Sequence, residues 1–226
     1  MSRVVSPSHE LVTHVDPVGA ASEAFRVLRT NLQFMGLDRP LKRILVTSAI
    51  PGEGKTTVAA NLAVVFAQTG TSVCLVDADL RRPRVAKLFG VENGQGLSNL
   101  VVGQGELDQV LQPAPVAGLS LLPSGPVPPN PAELLGSVRM GALLEELCDR
   151  FDVVVMDSPP VLSVTDAAVL APKVDGAILV AEAGRVARQQ VAQARGALQA
   201  VNARVLGTVL TGLQPQRREG YYYYND

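Results

Sequence analysis

The chain has 226 residues, enough for one full α/β domain with tails and too few for a second core of similar size. Apolar residues make up 47% of it and charged residues 18%, so a well-buried core is expected and global disorder is excluded. The formal net charge of −1 argues against a dedicated nucleic-acid binder, which carries a basic stripe to neutralise phosphates.

No apolar run approaches the roughly 18 residues a membrane-spanning helix needs, and the opening MSRVVSPSHE has no signal-peptide apolar region. A cytoplasmic location is therefore expected. Cys74 and Cys148 each lie within an apolar stretch and read as buried free thiols rather than a disulfide or a metal site.

Residues 1–18 are polar and contain proline, and read as a flexible N-terminal arm. The folded domain is expected over 19–213, followed by a flexible tail over 214–226. Phe25, Leu28, Leu32 and Met35 recur at helical spacing, with Ser22 as the expected cap and Gly36 as the stop. RILVTS (43–48) predicts a strand, residues 56–70 a helix ended by glycine, and residues 72–79 a second strand. A short strand is expected over 119–122. The linker PSGPVPPNP then leads into a helix over 132–150, announced by Asn130, Pro131 and Glu133. Strands follow at 152–157, 176–182 and 204–211, with a helix over 188–201 between the last two. Continuously apolar strands separated by helices imply a mostly parallel sheet covered on both faces, a three-layer α/β sandwich of the P-loop NTPase type.

SAIPGEGKTT follows a strand and opens a helix, the setting a Walker A phosphate loop requires. Pro51, Gly52, Glu53, Gly54, Lys55, Thr56 and Thr57 form the expected nucleotide-binding set. Gly52 and Gly54 let backbone N–H groups approach phosphates, Lys55 is expected to reach the β- and γ-phosphates, and Thr56 to ligate Mg²⁺. The nucleotide implied is ATP. Ala49 stands where the motif has its first glycine, and Ile50 stands where partition ATPases of the Min and Par group carry an extra lysine.

Asp77 and Asp79 sit two apart at a strand end, so in extended chain their side chains point the same way, and Asp157 ends another apolar strand. Ligands of open α/β sheets bind at the carboxyl ends of the strands, so the three acids are expected to converge on the phosphate loop around a hydrated Mg²⁺. With Lys55 they form the expected catalytic set. Asp77 is read as the base, and Asp79 and Asp157 as metal-holding beside Thr56.

The chain has four tyrosines, Tyr221, Tyr222, Tyr223 and Tyr224, all in the tail after the polar run QPQRREG. Following a polar run at the chain end, they read as phosphoacceptors rather than packing residues, and phosphorylation would add about −1.5 to −2 charges to each and turn a near-neutral tail into a repelling one. The expected exchange is in trans, with the tail of one subunit entering a neighbour's site.

Together, SAIPGEGKTTVAANLA, CLVDADLRRPRVAKLFG, GLSNLVVG, LPSGPVPPNPAELL, VVVMDSPPVLSVTDA and the tyrosine tail resemble the bacterial tyrosine kinases of capsule and exopolysaccharide clusters. The resemblance implies that Glu23, Arg26 and Arg29 are an E-x-x-R-x-x-R oligomerisation motif, placed on an arc free to meet another subunit of a ring. It further implies activation by a membrane-anchored partner of the polysaccharide co-polymerase type, which would hold the protein at the inner face of the membrane. Arg81, Arg82 and Arg84 match a basic run of the family, suited to steering phosphates or an acidic activator segment. Asp166 is a candidate supporting residue, and Thr211 stands where relatives often place asparagine near the adenine. The competing reading is a partition-type P-loop ATPase, against which Ile50 and the tyrosine tail both speak.

Overall fold

Short runs rich in Val, Leu and Ile cannot bury both faces alone, and here they pair into one sheet sealed by helices on each side. The computed structural model describes residues 8–213. In chain order the elements are α1 (Val12–Val15), α2 (Ala20–Met35), β1 (Arg43–Ser48), α3 (Lys55–Ala67), β2 (Val73–Asp77) and α4 (Val85–Phe89). Next come α5 (Leu97–Val102), α6 (Leu107–Val110), β3 (Gln112–Pro113), β4 (Leu119–Leu122), α7 (Pro131–Gly136) and α8 (Val138–Arg150). The chain continues with β5 (Val153–Asp157), α9 (Asp166–Leu170), β6 (Gly176–Glu182), α10 (Arg188–Ala200) and β7 (Val205–Thr211).

The seven strands run in the order β3-β4-β2-β5-β1-β6-β7. All neighbours pair in parallel except β3 with β4. Alternate residues point to opposite faces, and the core splits accordingly. Ile44, Val46, Leu75, Val155 and Val180 pack with α3 and with Leu32 of α2, whereas Leu45, Val76, Met156 and Leu179 pack with α5, α8 and α9 on the other face. The expected sandwich is thus present. Cys74 and Cys148 are free thiols, and burial pushes the Cys74 thiol up from its ordinary pKa.

Three local expectations are corrected. The helix expected over 132–150 breaks at Ser137, which is extended (φ −64°, ψ 160°) and whose Oγ accepts from Met140 N to cap α8. Asn130 holds the cap position of α7, but its side chain donates to Glu133 Oε2 instead of binding the helix N–H groups. Ser22 lies inside α2 rather than at its cap, and its hydroxyl donates to the carbonyls of Val12 and Asp16.

Residues 8–16, expected within a flexible arm, instead pack on α3. Leu11 is 0% exposed, and the fully buried Thr13 donates from both N and Oγ1 to Asn61 Oδ1 at 3.0 and 2.8 Å. Asn61 Nδ2 donates in turn to Glu10 O and Thr57 O, each at 2.8 Å. The physical reason is satisfaction of a buried amide: Asn61 is 0% exposed on α3, and the incoming strap supplies the donors to its carbonyl. Asn61→Ala should therefore lower the unfolding free energy by about 2–3 kcal/mol, since it strands the buried Thr13 donors. Chemical denaturation checks this, and a change below about 0.5 kcal/mol would contradict it.

Candidate functional site

The sheet's topology delivers the site. β1 lies between β5 and β6, so the loop leaving it emerges beside the carboxyl ends of β2 and β5, where Asp77 and Asp157 are register partners. Gly52 and Gly54 adopt left-handed conformations (φ 88° and 84°), which side-chain-bearing residues avoid, and Gly54 directly precedes α3. Their turn aims the first N–H groups of α3 outward at a cleft of about 420 Å³. The cleft is lined by Pro51, Gly52, Gly54, Lys55, Thr56 and Thr57 on the loop, by Asp79 and the three arginines 81, 82 and 84, and by Pro159, Pro160, Ser163 and Val164 opposite.

Lys55 Nζ is 2.7 Å from Asp79 Oδ2 and 3.6 Å from Asp157 Oδ1. Burial works against the charge on Lys55, but Asp157 and Asp79 outweigh it and raise its pKa, so the ammonium is held charged. Thr56 Oγ1 donates to Asp157 Oδ2 at 2.6 Å. Asp157 Oδ1 is buried and has no hydrogen-bond partner, and burial raises this carboxyl above the ordinary range despite Lys55 and Thr56. A buried carboxylate oxygen with no hydrogen bond, 3.6 Å from Lys55 and beside a threonine hydroxyl, suits a hydrated divalent cation once Lys55 turns to phosphate. Among the described residues no three metal-ligating side chains converge.

Asp77 departs from the expected convergence. Its Oδ2 accepts the N–H groups of Arg84 and Val85 at 3.0 and 2.9 Å, and its Oδ1 that of Asp79 at 3.3 Å, so it binds the following loop and does not line the cleft. The loop's orphan N–H groups at the start of α4 make the carboxylate their natural partner. Burial and the neighbouring Asp157 push Asp77 up to about 7. Asp79 does face the cleft, with its Oδ1 accepting Arg82 N at 3.0 Å.

Glu53 is also placed differently from a phosphate-facing residue. Its buried carboxylate accepts from Ile50 N at 2.7 Å and from Glu182 N at 3.2 Å, bracing the loop against the end of β6. Thr211 Oγ1 donates to Glu53 O at 2.9 Å and completes that brace. One residue of the site carries no sequence motif: Glu10, whose Oε2 accepts from Thr57 Oγ1 at 3.0 Å and whose Oε1 accepts from Arg84 at 3.1 Å, above Asn61. Only the tertiary path of residues 8–16 brings it there.

On α2, Glu23 pairs with Arg26 at 2.8 Å, and Arg26 also donates to Pro17 O. Arg29 Nη1 donates to Val65 O at 2.9 Å, so this arginine is committed to α3 rather than free on the surface. Tyr221 to Tyr224 lie outside the described residues. No helix among the described residues is long and apolar enough to cross a membrane.

A protein-family profile described as ParA, NUBPL iron-transfer P-loop NTPase, matches residues 41–211, so fold and site define a P-loop NTPase. Similarity over nearly the whole chain is narrower. The chain is 42% identical to the tyrosine-protein kinase YwqD of Bacillus subtilis (strain 168), covering 95% of this chain and 90% of that one. It is 35% identical to the putative tyrosine-protein kinase CapB of Staphylococcus aureus, covering 99% and 98%. Against the longer tyrosine-protein kinase etk of Escherichia coli (strain K12) it is 39% identical and covers 29% of that protein's length. The solved kinase domain of the Escherichia coli tyrosine kinase ETK superposes with a TM-score of 0.90 at 36% identity, covering 99% of this chain and 86% of that one. The chain therefore belongs to the bacterial tyrosine kinase family, protein-tyrosine kinases built on a P-loop core.

The raised Asp77 gives a pH signature. Its folded pKa of about 7 lies above the ordinary 3.8, so the folded state binds its proton more tightly than the unfolded chain does. The stabilisation is complete below the unfolded value and is lost as pH rises through about 7. Asp77→Asn should flatten the fall in nucleotide-free stability between about pH 4 and about pH 8, measured by denaturant titration across that window. An unchanged slope would contradict the assignment.

Proposed function

We propose that this chain uses Mg-ATP to phosphorylate tyrosines Tyr221 to Tyr224 on a neighbouring copy of itself, and that this controls capsular or exopolysaccharide synthesis or export. The observation that carries the reading is the pair of ties under the phosphate loop, Lys55 to Asp79 and Thr56 to Asp157, with the Oδ1 of Asp157 left for a cation.

In this reading the N–H groups around Gly52 and Gly54 hold the phosphate chain, and Lys55 leaves Asp79 to face the β- and γ-phosphates. Thr56 and Asp157 hold Mg²⁺, which when bound neutralises charge on the β- and γ-oxygens. A tyrosine oxygen attacks the γ-phosphorus, the bond to the β–γ bridging oxygen breaks, ADP departs, and the phenolic proton passes to Asp79, the acid that lines the cleft. Asp77 stands behind it, held by the N–H groups of Arg84 and Val85, and fixes the loop that carries Asp79. Self-association through the face bearing Glu23 and Arg26 brings the neighbour's tail, and a membrane-anchored activator protein holds the assembly at the membrane surface.

The test is a mixing experiment with Mg-ATP, with and without a cytoplasmic activator peptide. A Lys55→Met copy supplies the tail, and a copy with Tyr221 to Tyr224 replaced by phenylalanine supplies the active site. Phosphotyrosine mapped by mass spectrometry to Tyr221 to Tyr224 of the Lys55→Met copy is expected. Absence of phosphotyrosine from the Lys55→Met copy, under conditions where the parent protein labels its own tail, would overturn transfer in trans, and steady ATP hydrolysis without phosphotyrosine in the parent protein would favour the partition-type ATPase.

A further inference from the structure

We propose that Asp166 is a positioning residue that aims the guanidinium of Arg81 at the phosphoryl group in transfer. The inference rests on the kinase reading above and concerns residues for which the phosphate loop and its carboxylates leave no role.

Asp166 opens α9, a short helix that packs its apolar side into the core, and it is 0% exposed. A carboxylate buried this completely is costly unless paired and hydrogen-bonded. The start of α9 does not require it, because Thr165 holds the cap position and any small polar residue would serve there. What Asp166 does is accept two parallel hydrogen bonds from Arg81, from Nε and from Nη2, each at 2.9 Å. This fork fixes both the position and the plane of a guanidinium, which a single contact does not.

The other end of the pair is in the cleft. The Arg81 side chain is 39% exposed and lines the cleft with Gly52, Lys55 and Asp79. With Nε and Nη2 committed to Asp166, the N–H groups of Nη1 lie on the edge turned away from the carboxylate. Arg81 follows Asp79 by two residues, and Asp79 holds Lys55, so the guanidinium belongs to the wall on which the γ-phosphate is expected. The pair also bridges the two loops that form the cleft, the one after β2 and the one after β5.

The neighbouring arginines are held differently. Arg84 meets Glu10 in a pair whose side chains are 56% and 43% exposed, a contact that solvent weakens. Arg82 has a backbone bond to Asp79 and, among the described residues, no side-chain ion pair. Of the three, Arg81 alone is locked by a buried bidentate partner. In phosphoryl transfer the charge spreads over the three equatorial oxygens of the γ-phosphorus as the tyrosine oxygen bonds and ADP leaves, and a pre-oriented guanidinium acts there more than on bound ATP.

Four proteins decide the matter: the parent, Asp166→Asn, Arg81→Lys and the double variant. Each is assayed for kcat and KM on ATP, for melting temperature, and for affinity toward Mg-ADP with and without aluminium fluoride, which mimics the phosphoryl group in flight. Arg81→Lys should lower kcat about 100-fold and Asp166→Asn about 10-fold, with KM for ATP within about 3-fold of the parent. Both should lose the extra affinity that aluminium fluoride confers while binding Mg-ADP as before. Adding Asp166→Asn to Arg81→Lys should cost less than about 2-fold more, because the carboxylate acts through the fork that lysine lacks. Independent, multiplying losses would overturn the proposal, as would full fluoride-dependent affinity in either single variant. If Asp166→Asn melts too low to assay, Arg81→Lys, which keeps a cation beside Asp166, decides through the same binding measurement. A parent that forms no phosphotyrosine would instead strike the kinase reading, and the aluminium fluoride affinities still decide between the outcomes for Arg81 and Asp166.

Discussion

Two side chains at the start of α3 carry most of what the structure has to accomplish. Lys55 and Thr56 are tied, at 2.7 and 2.6 Å, to Asp79 and Asp157 on neighbouring strand ends. These ties are strong because the groups are buried, and they are provisional because each joins a phosphate- or metal-seeking group to a carboxylate. Without a polyanion, the lysine offsets three acids. In the proposed reaction a bound polyanion turns Lys55 to phosphate while Asp157 keeps its tie to the Thr56 hydroxyl. The rest of the sheet serves to bring β2 and β5 side by side, so that Asp77 and Asp157 sit in register, and burial together with their mutual repulsion raises the pKa of Asp77.

The support of that loop reaches further than its own residues. Glu53 turns inward to hold Ile50 and the end of β6, and Thr211 closes the same brace from β7. On the other side, Asn61 draws residues 8–16 onto α3, and the same segment accepts Ser22 of α2. The helix carrying Glu23 and Arg26 is therefore fastened to the phosphate-loop helix through a short strap. Arg29 contributes directly, by its bond to Val65 O.

Much of this was legible in the residues, for identifiable reasons. The buried strands are continuous β-branched and leucine runs, and 43–48, 119–122 and 176–182 fall as expected because nothing competes with burial there. The phosphate loop was legible because its glycines and lysine answer a backbone requirement that few other sequences meet. Local signals misled where tertiary partners outbid them. Ser22 and Asn130 have the chemistry of caps, but Ser22 found the carbonyls of Val12 and Asp16, and Asn130 found Glu133. Asp77 lies two residues from Asp79 as alternation requires, but the N–H groups at the start of α4 took its carboxylate away from the cleft. Glu10 was illegible, because nothing in MSRVVSPSHE signals that its carboxylate meets Thr57 and Arg84.

The family to which the chain belongs passes a phosphoryl group to tyrosine rather than to water. The most direct measurement follows the label of γ-labelled ATP in the presence of Mg²⁺ and records its division between protein-bound phosphotyrosine and free phosphate. The account predicts label in phosphotyrosine, dependent on Mg²⁺ and abolished by Thr56→Ala. Label released wholly as inorganic phosphate, at a rate that does not change when the tyrosines are replaced, would contradict it.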